Sequence, residues 1–190
     1  MANESDLKYD GNQILFADHA TDFGAAPATA ANSLLLGSQT DVQIDLTGVA
    51  ASGGARQSSK TGDLGDPRVS MYAVDACIEF ETAPTDGGRV DFYWCASPSA
   101  TAGTGNASGL TGSDAAFTGT VGNLAQIVYI GSLVVRNNVI NIGYVGTFKP
   151  RHQYGILVVV NNTSQAFRST ATAMDETHIT MTPLAYVPGA

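Results

Sequence analysis

Residues 126–160, QIVYIGSLVVRNNVINIGYVGTFKPRHQYGILVVV, leave the chain few ways to fold. The stretch is rich in Val, Ile and Tyr and is broken only at Asn137-Asn138 and at Lys149-Pro150-Arg151. β-Branched and aromatic residues suit a pleated, half-buried surface, whereas Asn pairs and Pro suit turns. Three consecutive strands are therefore predicted, over roughly 126–136, 139–148 and 153–161. In the first, Ile127, Tyr129, Leu133 and Val135 alternate with Ser132 and Arg136, the period of a sheet with one wet face. In the third, Ile156 to Val160 is apolar without a break, which predicts a central strand covered on both faces.

The remaining strand signals are shorter. Residues 13–17 (QILFA) and 42–49 (VQIDLTGV) each suit one strand. Over 69–81, Tyr72, Val74, Ala76, Ile78 and Phe80 form a dry row against a wet row of Asp75, Cys77, Glu79 and Glu81. Thr85-Asp86-Gly87-Gly88 then looks like a hairpin turn into 89–97, where Val90, Phe92, Trp94 and Ala96 share one face. Paired in that register, Cys77 and Cys95 would lie together on one outer face, able to form a cross-strand disulfide under oxidising conditions. Residues 178–187 read as a last strand that Pro183 makes an edge strand or bends. Two long Gly/Ser/Thr-rich segments, 51–67 and 97–125, read as loops, the second anchored by Leu110 and Phe117; Phe167 closes the turn at NNTSQAF. Helical periodicity is absent. The expectation is an all-β, single-domain antiparallel β-sandwich of jelly-roll type, with about eight strands over 13–190 and an N-terminal arm over 1–12.

Composition narrows the function classes. At 190 residues the chain is long enough to bury roughly 70% of its unfolded surface in one core. Only 14% of its residues are charged, against about 25% in an average soluble domain. Such a surface suits a protein that lives packed against neighbours. The net charge is −8, and the nine basic residues are scattered, which argues against nucleic acid and against anionic membranes. No apolar run approaches a membrane span. MANESDLKYD lacks the pattern of a signal peptide, so synthesis and folding in a cytoplasm are expected.

The sequence offers no strong catalytic, cofactor or metal signature. The three histidines and two cysteines show no metal-ligand spacing. Asp63 and Asp66, in a Gly-rich loop, lack the order of a calcium site. Glu79 and Glu81 sit about 7 Å apart along one strand face, a spacing a glycosidase pair could use, but they read as a solvated strand face. His19, between Asp18 and Asp22, reads as a capped turn, and His152 as part of a basic surface connection. No GxSxG elbow supports a nucleophile. Phe92 and Trp94 read as core and Tyr93 as half-buried beneath a loop. No enzyme is expected, and no cofactor.

Several stretches resemble small all-β proteins encoded among the head genes of tailed bacteriophages: ILFADHATDF (14–23), VDFYWCASPSATAGTGN (90–106), GLTGSDAAF (109–117) and YGILVVVNNTSQAF (154–167). The resemblance implies a virion structural protein made in the host cytoplasm. It would be a decoration, or cement, protein that binds the outer surface of an HK97-like head and stabilises it. The major capsid protein and sister copies in a homotrimer are the partners it implies. Candidate interface residues are Asp18, His19, Asp22, Phe23, Arg56, Lys60, Leu110, Phe117, Lys149 and Arg151, with contacts carried by segments 1–25, 51–67 and 98–125. The alternatives are a tail or head-fibre component, and a carbohydrate-binding jelly-roll module with Tyr93 or Trp94 as its stacking platform.

Overall fold

The alternating stretches become strands distributed between two sheets, except that the strand expected over 42–49 runs instead over 39–43 and ends at Gln43. The computed structural model describes residues 6–9, 12–19, 32–64, 71–169 and 177–187. Among these, β1 (Asp6–Tyr9), β2 (Gln13–Ala17), β3 (Gln39–Gln43), β5 (Met71–Glu79), β9 (Ile140–Phe148) and β11 (His178–Val187) form sheet A. Sheet B contains β4 (Gly54–Gln57), β6 (Arg89–Ser97), β7 (Ala115–Ala116), β8 (Val128–Val134) and β10 (Tyr154–Asn162). Sheet A runs β3-β2-β11-β5-β9, with β1 added on β11, and sheet B runs β7-β4-β10-β6-β8. Every pairing is antiparallel except β2 with β3. The eleven described strands exceed the eight expected because β1, β4 and β7, of four, four and two residues, lie in segments whose composition signals an arm or loops.

The core lies between the sheets. Phe16, Val74, Ile78, Ile179 and Met181 of sheet A meet Val90, Phe92, Trp94, Leu157 and Val159 of sheet B. Trp94 and Phe148 are 5.1 Å apart between ring centroids. At Gly155 a Cβ would overlap the Trp94 ring, so the only residue without one stands where the indole crosses β10. β10 is central and buried throughout its apolar run, as its sequence predicts. Phe167 packs edge-on against Phe80 at 5.4 Å.

Both flanks of the sandwich are stitched. On one, Ser59 N donates to Gln43 O in sheet A (2.9 Å), while Ser58 N and Thr61 N donate to Leu157 O and Gly155 O in sheet B (2.9 and 3.0 Å). On the other, Gly131 of β8 packs against the Val145 carbonyl and Gly146 of β9 against the Ile130 carbonyl. Side chains at either glycine would force these strands apart.

Four sequence expectations are corrected. The β5–β6 hairpin does not form: β5 pairs with β11 and β9, β6 pairs with β10 and β8, and Thr85–Gly88 carries the chain from one sheet to the other. Cys77 and Cys95 therefore lie on opposite outer faces of the sandwich, and no disulfide can join them. The wet row of β5 is dry at its end: Cys77 and Glu79 are buried, Cys77 opposite His178, and Glu79 ion-paired with Arg168. Pro183 does not mark an edge. β11 lies inside sheet A, and Pro183 falls where pairing with β2 ends, at Met181, and pairing with β1 begins, at Leu184. A residue without N–H costs no ladder bond in such a gap.

Candidate functional site

The outer face of sheet B is half roofed and half open. Cys95, Ile156, Val158 and Val160 project from that face and are covered by Leu110 and Phe117 of the 98–127 connection, with Ala107, Leu124 and Ile127 packed alongside. The roof is pinned by the segment that includes β4. Phe117 N donates to Ala55 O (2.9 Å), Gln57 Oε1 accepts from Thr111 N (2.8 Å), and Lys60 N donates to Gly112 O (3.1 Å). The Lys60 ammonium shares its three N–H groups among four acceptors, Ser97 Oγ, Ser99 O, Thr101 O and Thr104 O, all 2.6–2.9 Å away. Arg56 reaches both Asp45 (2.9 Å) and Asp114 (3.3 Å). The two connections read from sequence as separate loops are thus one hydrogen-bonded unit. Gly112, at φ +70°, meets the Lys60 side chain within this unit.

The open half is a groove of about 580 Å³ lined by Arg89, Asp91, Tyr93, Tyr129, Ile127 and the roof's edge at Val121 and Leu124. That edge is the one-turn helix α1 (Val121–Leu124), entered from Thr120, whose N–H donates to Asn123 Oδ1 (2.7 Å). A second hollow of about 280 Å³ lies on the other side of α1 and shares Tyr93, Val121 and Leu124. Tyr93 and Tyr129 are register partners on β6 and β8, with ring centroids 5.3 Å apart and planes inclined by 56°.

Behind the rings lies a directed chain of polar groups. Asp91, only 6% exposed, accepts from Ser132 Oγ on one carboxylate oxygen and from Asn162 Nδ2 (2.7 Å) on the other. Ser132 spends its single proton on Asp91, so in its contact with Tyr129 the phenol is the donor. Burial first, then the Asp91 carboxylate and Tyr129, push the Tyr93 hydroxyl above its ordinary pKa, which keeps it neutral.

Tyr129 is not where sequence periodicity puts it. The β6–β8 register shifts between Phe92, opposite Gly131, and Tyr93, opposite Tyr129, so Ile130 is the extra residue of a bulge. Upstream of the bulge the alternation changes phase. Ile130, Leu133 and Val135 are buried, and Tyr129 is 52% exposed on the outer face with Ser132. A lone glycine inside a strand, Gly131, is the sequence signal for it.

The expected interface residues do not form one cluster. Asp18 is buried and accepts from Gln43 Nε2 (2.6 Å), and His19 lies 3.8 Å from Asp41. Arg56 and Lys60 hold the roof, and Leu110 and Phe117 are its anchors. Lys149 and Arg151 are exposed in the β9–β10 turn. Asp22 and Phe23, with Asp66, lie outside the described residues. Trp94 is wholly buried and cannot be a surface platform, while Tyr93 can. Among the described residues no group of His, Cys, Asp and Glu is placed to hold a metal ion.

No protein-family model, curated protein or solved structure matches this chain.

Proposed function

We propose that this protein is a virion structural protein, a decoration protein that binds the outer surface of a phage head through the exposed β9 side of sheet A. The observation that carries this reading is the pair Ile142 and Tyr144, 48% and 59% exposed on one face of β9. Leu36, also exposed, is tied by its N–H to Gln13 Oε1 of β2, across the same sheet. Large apolar side chains left in water on a charge-poor surface are characteristic of a face that a partner covers. The stretches that resemble phage head proteins, and the small-residue connections joined into one hydrogen-bonded unit, support the same reading. Its finer fold is a jelly-roll sandwich, its partner the major capsid protein, and its assembly a homotrimer in which Lys149 and Arg151 are available for acidic neighbours. Binding only the assembled shell would stabilise it by mass action.

Two measurements test this. Mass-spectrometric counting on purified, tail-free heads should find copies comparable in number to the major capsid protein; a handful, or loss with the tails, overturns the reading. Heads stripped of the protein should rebind it, and Ile142→Lys/Tyr144→Lys should weaken rebinding by tenfold or more with the fold intact. Loss of about 2 kcal/mol from two central apolar contacts corresponds to roughly thirtyfold.

A further inference from the structure

We propose that the groove over Tyr93 and Tyr129 is a binding site for a neutral saccharide. A pyranose ring presents a face of C–H groups and a rim of hydroxyls, and it needs an aromatic surface beside fixed hydrogen-bonding groups. The groove supplies both. Tyr129 and Tyr93 give two amphipathic rings, and Val121 and Leu124 wall one side. The polar groups are fixed before any ligand arrives, because Asp91 holds Ser132 and Asn162 and Ser132 holds the Tyr129 hydroxyl.

The direction of that chain determines what each group offers. Tyr129 donates inward and presents only lone pairs outward, so it accepts from a sugar hydroxyl. Tyr93 has no hydrogen-bond partner among the described residues, so it can donate as well as accept. Asp91 uses two of about four lone-pair positions and keeps capacity for another donor. Arg89, exposed at one end of the groove, offsets the Asp91 charge, which favours a ligand with no net charge. The volume falls within the roughly 300–1,000 Å³ of small-molecule sites, and the hollow beyond α1 leaves room for a second sugar unit. The site lies on the opposite sheet from Ile142 and Tyr144, so it stays accessible when sheet A is covered, yet it does not depend on that docking.

The test is saturation-transfer NMR of the full chain with maltotriose, cellotriose, chitotriose and mannotriose, alongside a hexaproline peptide that would suit a tyrosine-lined peptide groove. At least one trisaccharide should show saturation transfer. Its affinity should fall about tenfold in Tyr129→Ala, fall less in Tyr129→Phe, which keeps the ring and loses the acceptor, and stay unchanged in Tyr144→Ala on the other sheet. Transfer from none of the sugars, transfer to hexaproline alone, or sugar binding that survives Tyr129→Ala overturns the proposal. Should Tyr129→Ala not fold, Tyr129→Phe decides the outcome, because unchanged sugar affinity there removes the assigned acceptor.

Discussion

Asp75 shows how a single side chain can work against the fold. It stands on the outer face of β5, opposite Thr180 of β11 and Tyr144 of β9, and burial raises its carboxyl pKa. A raised carboxyl holds its proton more tightly in the folded chain than in the unfolded one. Its favourable contribution is therefore full below about pH 4 and is lost as pH rises through the raised folded value. At pH 7 the ionised group carries a desolvation cost that neutral Asn does not. Asp75→Asn should gain a fraction of a kcal/mol at pH 7, discounted for partial exposure, and the gain should vanish near pH 3.5; urea melts at both values measure it. Glu81 has the opposite sign. Hydrogen bonds from the Ser169 N–H and hydroxyl lower its pKa, so its contribution is present at neutral pH and is lost in acid.

Single elements show how much the sequence could tell. The strands at 128–134, 140–148 and 154–162 were legible because Val- and Ile-rich runs bounded by Asn-Asn and Lys-Pro-Arg have one plausible local structure. Tyr93 was legible as a half-buried ring for the same reason. The partner of each strand was not. The apolar rows of β5 and β6 match as well across a sandwich as along a hairpin, since both arrangements bury the same side chains. Tyr129 and the open groove stayed hidden because one bulge residue, Ile130, reverses which face a side chain joins, and alternation alone carries no count of extra residues. The bulge also places Gly131 against the Val145 carbonyl. Gly131→Ala would press a methyl group into backbone that has no rotamer to yield. A loss of about 3 kcal/mol is expected, or roughly 10 °C in Tm for a chain of this size. Gly62→Ala, with nothing within 4 Å of the added carbon, should leave Tm unchanged in the same calorimetric series.

The whole molecule is two sheets whose outer faces are differently furnished. Cys77 is wholly buried on the sheet A side and Cys95 nearly so on the sheet B side, beneath the roof, where burial above all raises its pKa. Thiols that are shielded and protonated react slowly. Native protein should therefore take up almost no thiol reagent at pH 8, two equivalents should react in denaturant, and air oxidation should yield no intramolecular disulfide. An oxidised monomer on non-reducing mass analysis would contradict the two-sheet placement of these residues.

The glycine contact between β8 and β9 bears on how copies of this molecule can meet. A terminal strand with a bare backbone edge can recruit the next chain, and repetition of that step has no natural end. Here each sheet's last strand on this flank lies against the other's, with carbonyl on glycine, and an incoming strand has no gap to enter. On this flank, copies then meet through side chains and not by adding a strand. Contacts of that kind close into a ring or run on into a filament according to the rotation they impose, and not according to a bare strand edge.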